Sequence, residues 1–333
     1  MSASTDGGGS RIVALGHFQP SRVVTNDEVA RMVDTSDEWI RSRTGIVTRH
    51  VAGDDESVPD LAIAAARDAL ARAAALEPNR DAADVDLVLV ASTTAEHRSP
   101  NVAGLVSAAL GLRSPAVIDV NVACSGFVHA LALADLTIRG GSARRALVIG
   151  AEKLTAFTDW TDRTTCVLTA DGAGAAVVEA ADDRGIGPVA WGSAPELAQI
   201  VRIQPPTNRF AQDGRAVYRW ALGRGAEHAR RAVALAGIDL AEIAVLVTHQ
   251  ANLRIIEPIA EQLGLADRIV VTDVTESGNT SAASIPLGLS KWWQAGRIPP
   301  DRPALLFGFG GGFAYAAMVV RTLAAPGVSP SPS

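Results

Sequence analysis

The stretch Val117-Ile-Asp-Val-Asn-Val-Ala-Cys-Ser-Gly-Phe-Val-His-Ala-Leu-Ala-Leu-Ala-Asp-Leu-Thr-Ile-Arg139 decides how this chain is built. Val117 to Asn121 reads as a short strand. Gly126 to Arg139 reads as a helix that is apolar nearly all round (Phe127, Val128, Ala130, Leu131, Leu133, Leu136, Ile138), so it is expected inside the molecule. Working outward, Val85 to Ala91 predicts a strand, about Asn101 to Leu110 a helix, and Ala146 to Gly150 another strand. This alternation predicts an α/β fold with largely buried sheets.

The pattern then repeats. Asp84-Val-Asp-Leu-Val-Leu-Val90, a helix ending in Leu-Gly-Leu112 and the Val117 strand are echoed later in the chain. The echo is Glu242-Ile-Ala-Val-Leu-Val247, a helix ending in Leu-Gly-Leu265 and a strand from Arg268 to Thr272. Asp171-Gly-Ala-Gly-Ala-Ala-Val-Val178 and Gly310-Gly-Gly-Phe-Ala-Tyr-Ala-Ala-Met-Val-Val320 close the two halves in the same way. Two related halves of roughly 150 residues, packed on each other, follow from this self-similarity. Residues 11–181 form the expected first half and 182–324 the second, with the seam near Ala181 to Gly192. Residues 1–10 and 325–333 are expected to be disordered tails. Gln199 to Arg215, rich in Pro, Gln, Asn and Arg, is expected to be a surface segment near an entrance.

With 333 residues, 48% hydrophobic and 20% charged, the chain suits one large or two medium domains. A net charge of -6 gives no sign of a nucleic-acid partner. No apolar run is long enough to span a bilayer, and Met1 to Ser10 lacks both a basic region and an apolar core, so no membrane or secretory role is expected. The two cysteines, Cys124 and Cys166, then suit a reducing cytoplasm better than a disulfide.

Cys124 falls between the Val117 strand and the Gly126 helix. There the positive end of the helix dipole favours a thiolate nucleophile, although the position suits a packed, inert cysteine equally well. His249 closes the strand Ile243 to Thr248, where α/β folds gather ligands; a strand-end histidine bonded to a carbonyl is the plainer reading. Asn279 opens the next helix, which also suits a simple cap. The repeat changes the balance. It puts the Cys124 and Asn279 loops at equivalent places in the two halves and brings His249 from a neighbouring strand end, so thiol, imidazole and amide converge. The runs Gly308-Phe-Gly-Gly-Gly312 and Asp171-Gly-Ala-Gly174 are each followed by a β-like run and not by a helix, which argues against phosphate cradles. Both are expected to be tight hairpin turns whose glycines let backbone N–H groups approach a ligand.

These residues resemble the β-ketoacyl-acyl-carrier-protein synthase III family of the thiolase-fold superfamily. The motifs that carry the likeness are Asp34-Thr-Ser-Asp-Glu-Trp-Ile40 with Arg43-Thr-Gly-Ile46, Ala123-Cys-Ser-Gly-Phe127, Asp171-Gly-Ala-Gly-Ala175, His249-Gln-Ala-Asn-Leu-Arg254, Ser277-Gly-Asn-Thr-Ser-Ala-Ala-Ser-Ile-Pro286 and Gly308-Phe-Gly-Gly-Gly-Phe313. They run in family order from about Arg11 to Leu323. The resemblance implies a five-layered α/β/α/β/α fold and a homodimer. It implies acyl-CoA and malonyl-acyl-carrier-protein as substrates, with no metal or redox cofactor. It implies Cys124 as nucleophile, His249 and Asn279 as the decarboxylation pair, and the N–H groups of Cys124 and Gly311 as an oxyanion hole. Trp39, Arg43, Arg163 and Gly214 match positions that hold coenzyme A, and Arg219 and Arg254 match basic positions that meet the carrier protein. Ser99, Leu154, Phe157, Thr169, Gln212 and Phe309 match the acyl pocket.

Three of these depart from the acetyl-using pattern. Ser99 and Thr169 stand in place of Phe, and Gln212 in place of Met. A smaller, more polar lining implies a primer larger or more polar than acetyl, suited to branched fatty acids or polyketide priming; neutral repacking is the alternative. Relatives that pass the acyl group to an alcohol, amine or carrier thiol without condensing it tend to lose the decarboxylation residues, which are present here. An oxidoreductase built on the glycine runs and a non-catalytic partner subunit fit the residues less well.

Overall fold

The structure is a computed structural model that describes residues 8–78, 81 and 83–324. Its strands are β1 (Gly9–Phe18), β2 (Val23–Thr25), β3 (Thr48–His50), β4 (Leu87–Ala91), β5 (Ala116–Val120), β6 (Arg145–Lys153), β7 (Asp171–Ala181), β8 (Ala190–Ser193), β9 (Val201–Gln204), β10 (Arg209–Gln212), β11 (Val245–Thr248), β12 (Ile269–Val270), β13 (Pro303–Phe309) and β14 (Ala314–Arg321).

Ten of them build two five-stranded sheets, ordered β1-β7-β6-β4-β5 and β8-β14-β13-β11-β12. In the first, β4 runs parallel to β5 and β6, while β7 is antiparallel to β6 and β1. In the second, β11 runs parallel to β12 and β13, while β14 is antiparallel to β13 and β8. The two topologies are the same, strand for strand. Sheet membership changes between Ala181 and Ala190. The echoed Leu-Gly-Leu runs end corresponding helices. Val102–Leu110 and Leu253–Leu263 both stop at a glycine in the left-handed region, Gly111 at φ 66° and Gly264 at φ 71°, which an L side chain enters only with strain.

The core explains the layering. Helix Gly126–Arg139 and helix Ser284–Gln294 lie between the sheets, and one apolar cluster joins Phe127, Leu131, Ile285 and Leu289 to strands of both. Helix Val58–Leu76 covers the outer face of the first sheet, and helices Ala226–Leu235 and Leu253–Leu263 cover that of the second. This is the expected five-layered α/β/α/β/α fold.

Several expectations change. Gly9 and Ser10 pair with Ala181 and Ala180 in β1, so they belong to the first sheet and not to a tail. The edge pairing satisfies their backbone groups, and Ser10, fully buried, also donates to Asp135 at 2.8 Å. The rest of the two proposed tails, 1–7 and 325–333, lies outside the described residues. Asp171 to Gly174 is no hairpin turn; it is the first part of β7. Its glycine serves packing: a Cβ on Gly174 would stand 2.4 Å from the backbone N of Leu287, so only glycine admits helix Ser284–Gln294 this close. The strand at Val117 is not buried in the single chain: Val117 is 36% and Ile118 47% exposed at the sheet edge. Gln199 to Arg215 lies mostly at the surface, as expected, and carries the β9–β10 hairpin. Cys124 and Cys166 are free thiols, as expected.

Candidate active site

Cys124 sits in a single 3-10 turn, Ala123–Ser125, between β5 and helix Gly126–Arg139. Ala123 adopts φ 46°, a strained elbow that lifts the next residue toward the sheet end. The second half repeats the device. Ser281 adopts φ 46° and opens the 3-10 turn Ser281–Ala283 before helix Ser284–Gln294. The elbows meet face to face, and Cys124 Sγ donates to Ser281 Oγ at 3.6 Å. Sequence reasoning missed Ser281, although it is the counterpart of Ala123 in the repeat.

Asn279 precedes the second elbow by two residues. Its Oδ1 accepts the Ser281 N–H at 2.9 Å, which leaves the amide Nδ2 as the donor toward the site. His249 follows β11 and is 4% exposed; its Nδ1 stands 2.8 Å from Ser284 Oγ. Phe309 holds the imidazole edge-on, ring centres 6.1 Å apart. The β13–β14 connection closes over the thiol because it is glycine. A Cβ on Gly310 would stand 2.7 Å from Cys124 Sγ, and the Gly311 N–H lies near enough to lower the thiol pKa.

Electrostatics revise the expectation of a resting thiolate. Burial pushes the Cys124 thiol up to about 11, and it outweighs the Ser281 and Gly311 hydrogen bonds that oppose it. Burial likewise holds His249 down at about 3. At neutral pH the pair is therefore thiol and neutral imidazole. The helix dipole is a small effect beside desolvation of the charged sulfur.

Glu152, absent from the sequence reading, organises the ground behind both elbows. Its fully buried carboxylate accepts from the Ala282 N–H at 3.3 Å and from backbone and hydroxyl groups of Ser92, Thr93 and Thr94, the shortest being Thr94 Oγ1 at 2.5 Å. It ties the loop after β4 to the second elbow.

The remaining candidates form three groups. Arg163 lies 4.8 Å over the Trp39 ring and donates to the Asp34 carbonyl at 2.8 Å, so these two are brought together. Arg43, Gly214, Arg219 and Arg254 line one cavity of about 360 Å³ with Tyr218, Asn252 and Arg215. Arg215 was not singled out by sequence; its charge gave no signal until the fold placed four arginines together. Among the described residues no carboxylate lines this cavity. Of the acyl-pocket candidates, Thr169 is fully buried and bridges Asn279, with its hydroxyl 2.8 Å from Thr158 Oγ1. Leu154 and Phe309 are buried. Phe157 is half-buried in the same 3-10 turn as Leu154, and Gln212 is half-buried at the end of β10. Ser99 is exposed on the loop after β4. Among the described residues no His/Cys/Asp/Glu group suits a metal, and no helix is long and apolar enough to cross a membrane.

Paired elbows on two like sheets, one bearing a thiol and the other an amide, define a thiolase-fold condensing enzyme. Models of the 3-oxoacyl-[acyl-carrier-protein] synthase III family match residues 118–195 and, for its C-terminal part, 233–322. The chain is 58% identical to β-ketoacyl-[acyl-carrier-protein] synthase III 2 of Streptomyces avermitilis, over 94% of this chain and 99% of that one. It is 42% identical to the mycobacterial synthase III of Mycobacterium marinum, over 93% and 95%. The priming β-ketosynthase of the R1128 polyketide pathway superposes with a TM-score of 0.92 at 35% identity, over 98% of this chain and 99% of that one. The chain belongs to the 3-oxoacyl-[acyl-carrier-protein] synthase III family.

Proposed function

We propose that this enzyme loads an acyl group from acyl-CoA onto Cys124 and condenses it decarboxylatively with malonyl-acyl-carrier-protein, starting fatty acid or polyketide chains. The observation that carries the reading is the meeting of the Cys124 and Ser281 elbows, with Asn279 held on the second and His249 at the adjacent strand end. Cys124 sulfur attacks the acyl-CoA thioester, and CoA leaves as its thiol. The N–H groups of Cys124 and Gly311 stabilise the oxyanion, each worth about 3–4 kcal/mol in a site closed to water. Malonyl-acyl-carrier-protein then enters. Neutral His249 and the Asn279 amide donate to its thioester carbonyl, so loss of carbon dioxide leaves a stabilised enolate. The enolate carbon attacks the acyl-cysteine, the carbon–sulfur bond breaks and a 3-ketoacyl product leaves; the expelled Cys124 thiolate takes one proton from water and is restored as thiol. Acyl-CoA, malonyl-acyl-carrier-protein and one solvent proton balance this sequence.

The Trp39–Arg163 pair takes the adenine, and the four-arginine cavity takes the anionic CoA phosphates first and the carrier protein afterwards. Thr169 and Gln212, smaller or more polar than the residues they replace, admit a primer beyond acetyl. When the enzyme is offered a panel of acyl-CoAs and weighed intact, branched or longer acyl groups are expected to load faster than acetyl. Exclusive loading by acetyl-CoA overturns that specificity.

The exposed edge of β5 is where a second copy pairs, covering Val117 and Ile118 and carrying the Ser99 loop toward the partner's pocket. Ile118→Asp is expected to shift the sedimenting species from dimer to monomer. A monomeric parent protein contradicts the pairing.

A further inference from the structure

We infer that Ser284 is a positioning residue for condensation, its hydroxyl fixing His249 in the tautomer that carries the ring proton on Nε2. The inference rests on the reading above, in which His249 donates to the malonyl thioester carbonyl.

His249 Nδ1 stands 2.8 Å from Ser284 Oγ, and the same oxygen accepts the Gln250 N–H at 3.2 Å. Ser284 is 1% exposed. Among the described residues, Oγ has these two partners and Nδ1 has Oγ alone. Burial keeps the ring neutral, so it holds one proton. Were that proton on Nδ1, it would point at Oγ, and the serine hydrogen would be buried without an acceptor. With the serine donating to Nδ1, all three groups are satisfied and the proton sits on Nε2. Nε2 has no hydrogen-bond partner among the described residues and is not among the buried unpartnered atoms, so it faces the site.

The frame behind the serine is rigid. Gln250 Nε2 donates to the Thr248 carbonyl at 2.8 Å and the Val271 carbonyl at 2.9 Å, and its Oε1 accepts the Val274 N–H at 3.1 Å. The repeat isolates what is special here. The counterpart of Ser284 in the first half is Gly126, the first residue of its helix, where a Cβ would stand 2.9 Å from that of Ala91. Only the half that contributes the histidine has a hydroxyl at this point.

Ser284→Ala separates the two half-reactions. Acyl-enzyme formation, followed by intact mass, should match the parent, while condensation with malonyl-acyl-carrier-protein falls roughly ten- to hundredfold. Ser284→Thr, which keeps a hydroxyl, should recover most of the loss. Long-range 15N–1H spectra of the parent enzyme labelled at histidine, with the His249 signal identified by its loss in His249→Ala, should show a protonated Nε2 and an unprotonated Nδ1. This reading does not depend on the variant folding. A proton on Nδ1 in the parent, unchanged condensation in Ser284→Ala, or equal slowing of both half-reactions overturns the inference. A parent enzyme that loads but never condenses overturns instead the reading on which it rests.

Discussion

Alanine at Cys124 removes acyl-enzyme formation altogether, and turnover falls by at least about a thousandfold. No other thiol can replace it: Cys166 is fully buried in an apolar cluster with Val167, Leu168 and Ile256. Intact mass after exposure to acyl-CoA checks the result directly, since the alanine variant should gain nothing while the parent gains one acyl group. The pH dependence has a definite sign. Burial raises the thiol to about 11, so below that pH the thiolate fraction climbs about tenfold per unit. Loading by the parent should therefore keep rising through the neutral range and show no plateau near 9. A plateau near 7 would mean that the sulfur is ionised at rest, as a dominant helix dipole requires.

Removing either decarboxylation donor has the second largest effect. His249→Ala and Asn279→Ala should each slow condensation by roughly a hundred- to a thousandfold, the loss seen when one preorganised donor is deleted. Among the described residues the sulfur's hydrogen bond is to Ser281 and not to either donor, so the acyl-enzyme should form and then accumulate. Because His249 is neutral down to about 3, acidification across the ordinary range does not charge it, and no loss of condensation should track imidazole protonation near 6.5. Single-turnover quenching with labelled malonyl-acyl-carrier-protein measures the step. Accumulation of free carbon dioxide at the parent rate in both variants would remove these residues from the decarboxylation.

Much of the frame is legible in the amino-acid sequence. The Leu-Gly-Leu echoes mark two helix ends that each stop at a left-handed glycine, and the two related halves they predict are two sheets of the same strand order. The Cys124 and Asn279 loops were legible for the same reason, since an internal repeat predicts which loops meet. What stayed hidden depends on distances that periodicity does not encode. Ser281 touches Cys124 across 157 positions, and Glu152 meets Ala282 across 130. A buried glutamate in an apolar strand carries no mark of the donors that will surround it. Glycine is ambiguous in another way: at Gly310 it admits the loop to the thiol, whereas at Gly174 it admits a helix, and local sequence does not separate the two. The thiol's protonation is hidden for a related reason: the helix end is visible in sequence and the burial that raises the thiol is not.

The central assignment is that the acyl group on Cys124 becomes the far end of a carrier-bound 3-ketoacyl chain. Acyl-enzyme prepared with an isotopically labelled acyl-CoA and freed of excess donor, then mixed with malonyl-acyl-carrier-protein, tests it in one step. The expected result is one carbon dioxide released per acyl group lost from Cys124, with the label recovered in a 3-ketoacyl thioester on the carrier protein. Label appearing on the carrier as a simple acyl thioester, or on an added alcohol or amine, with no carbon dioxide released, would contradict it.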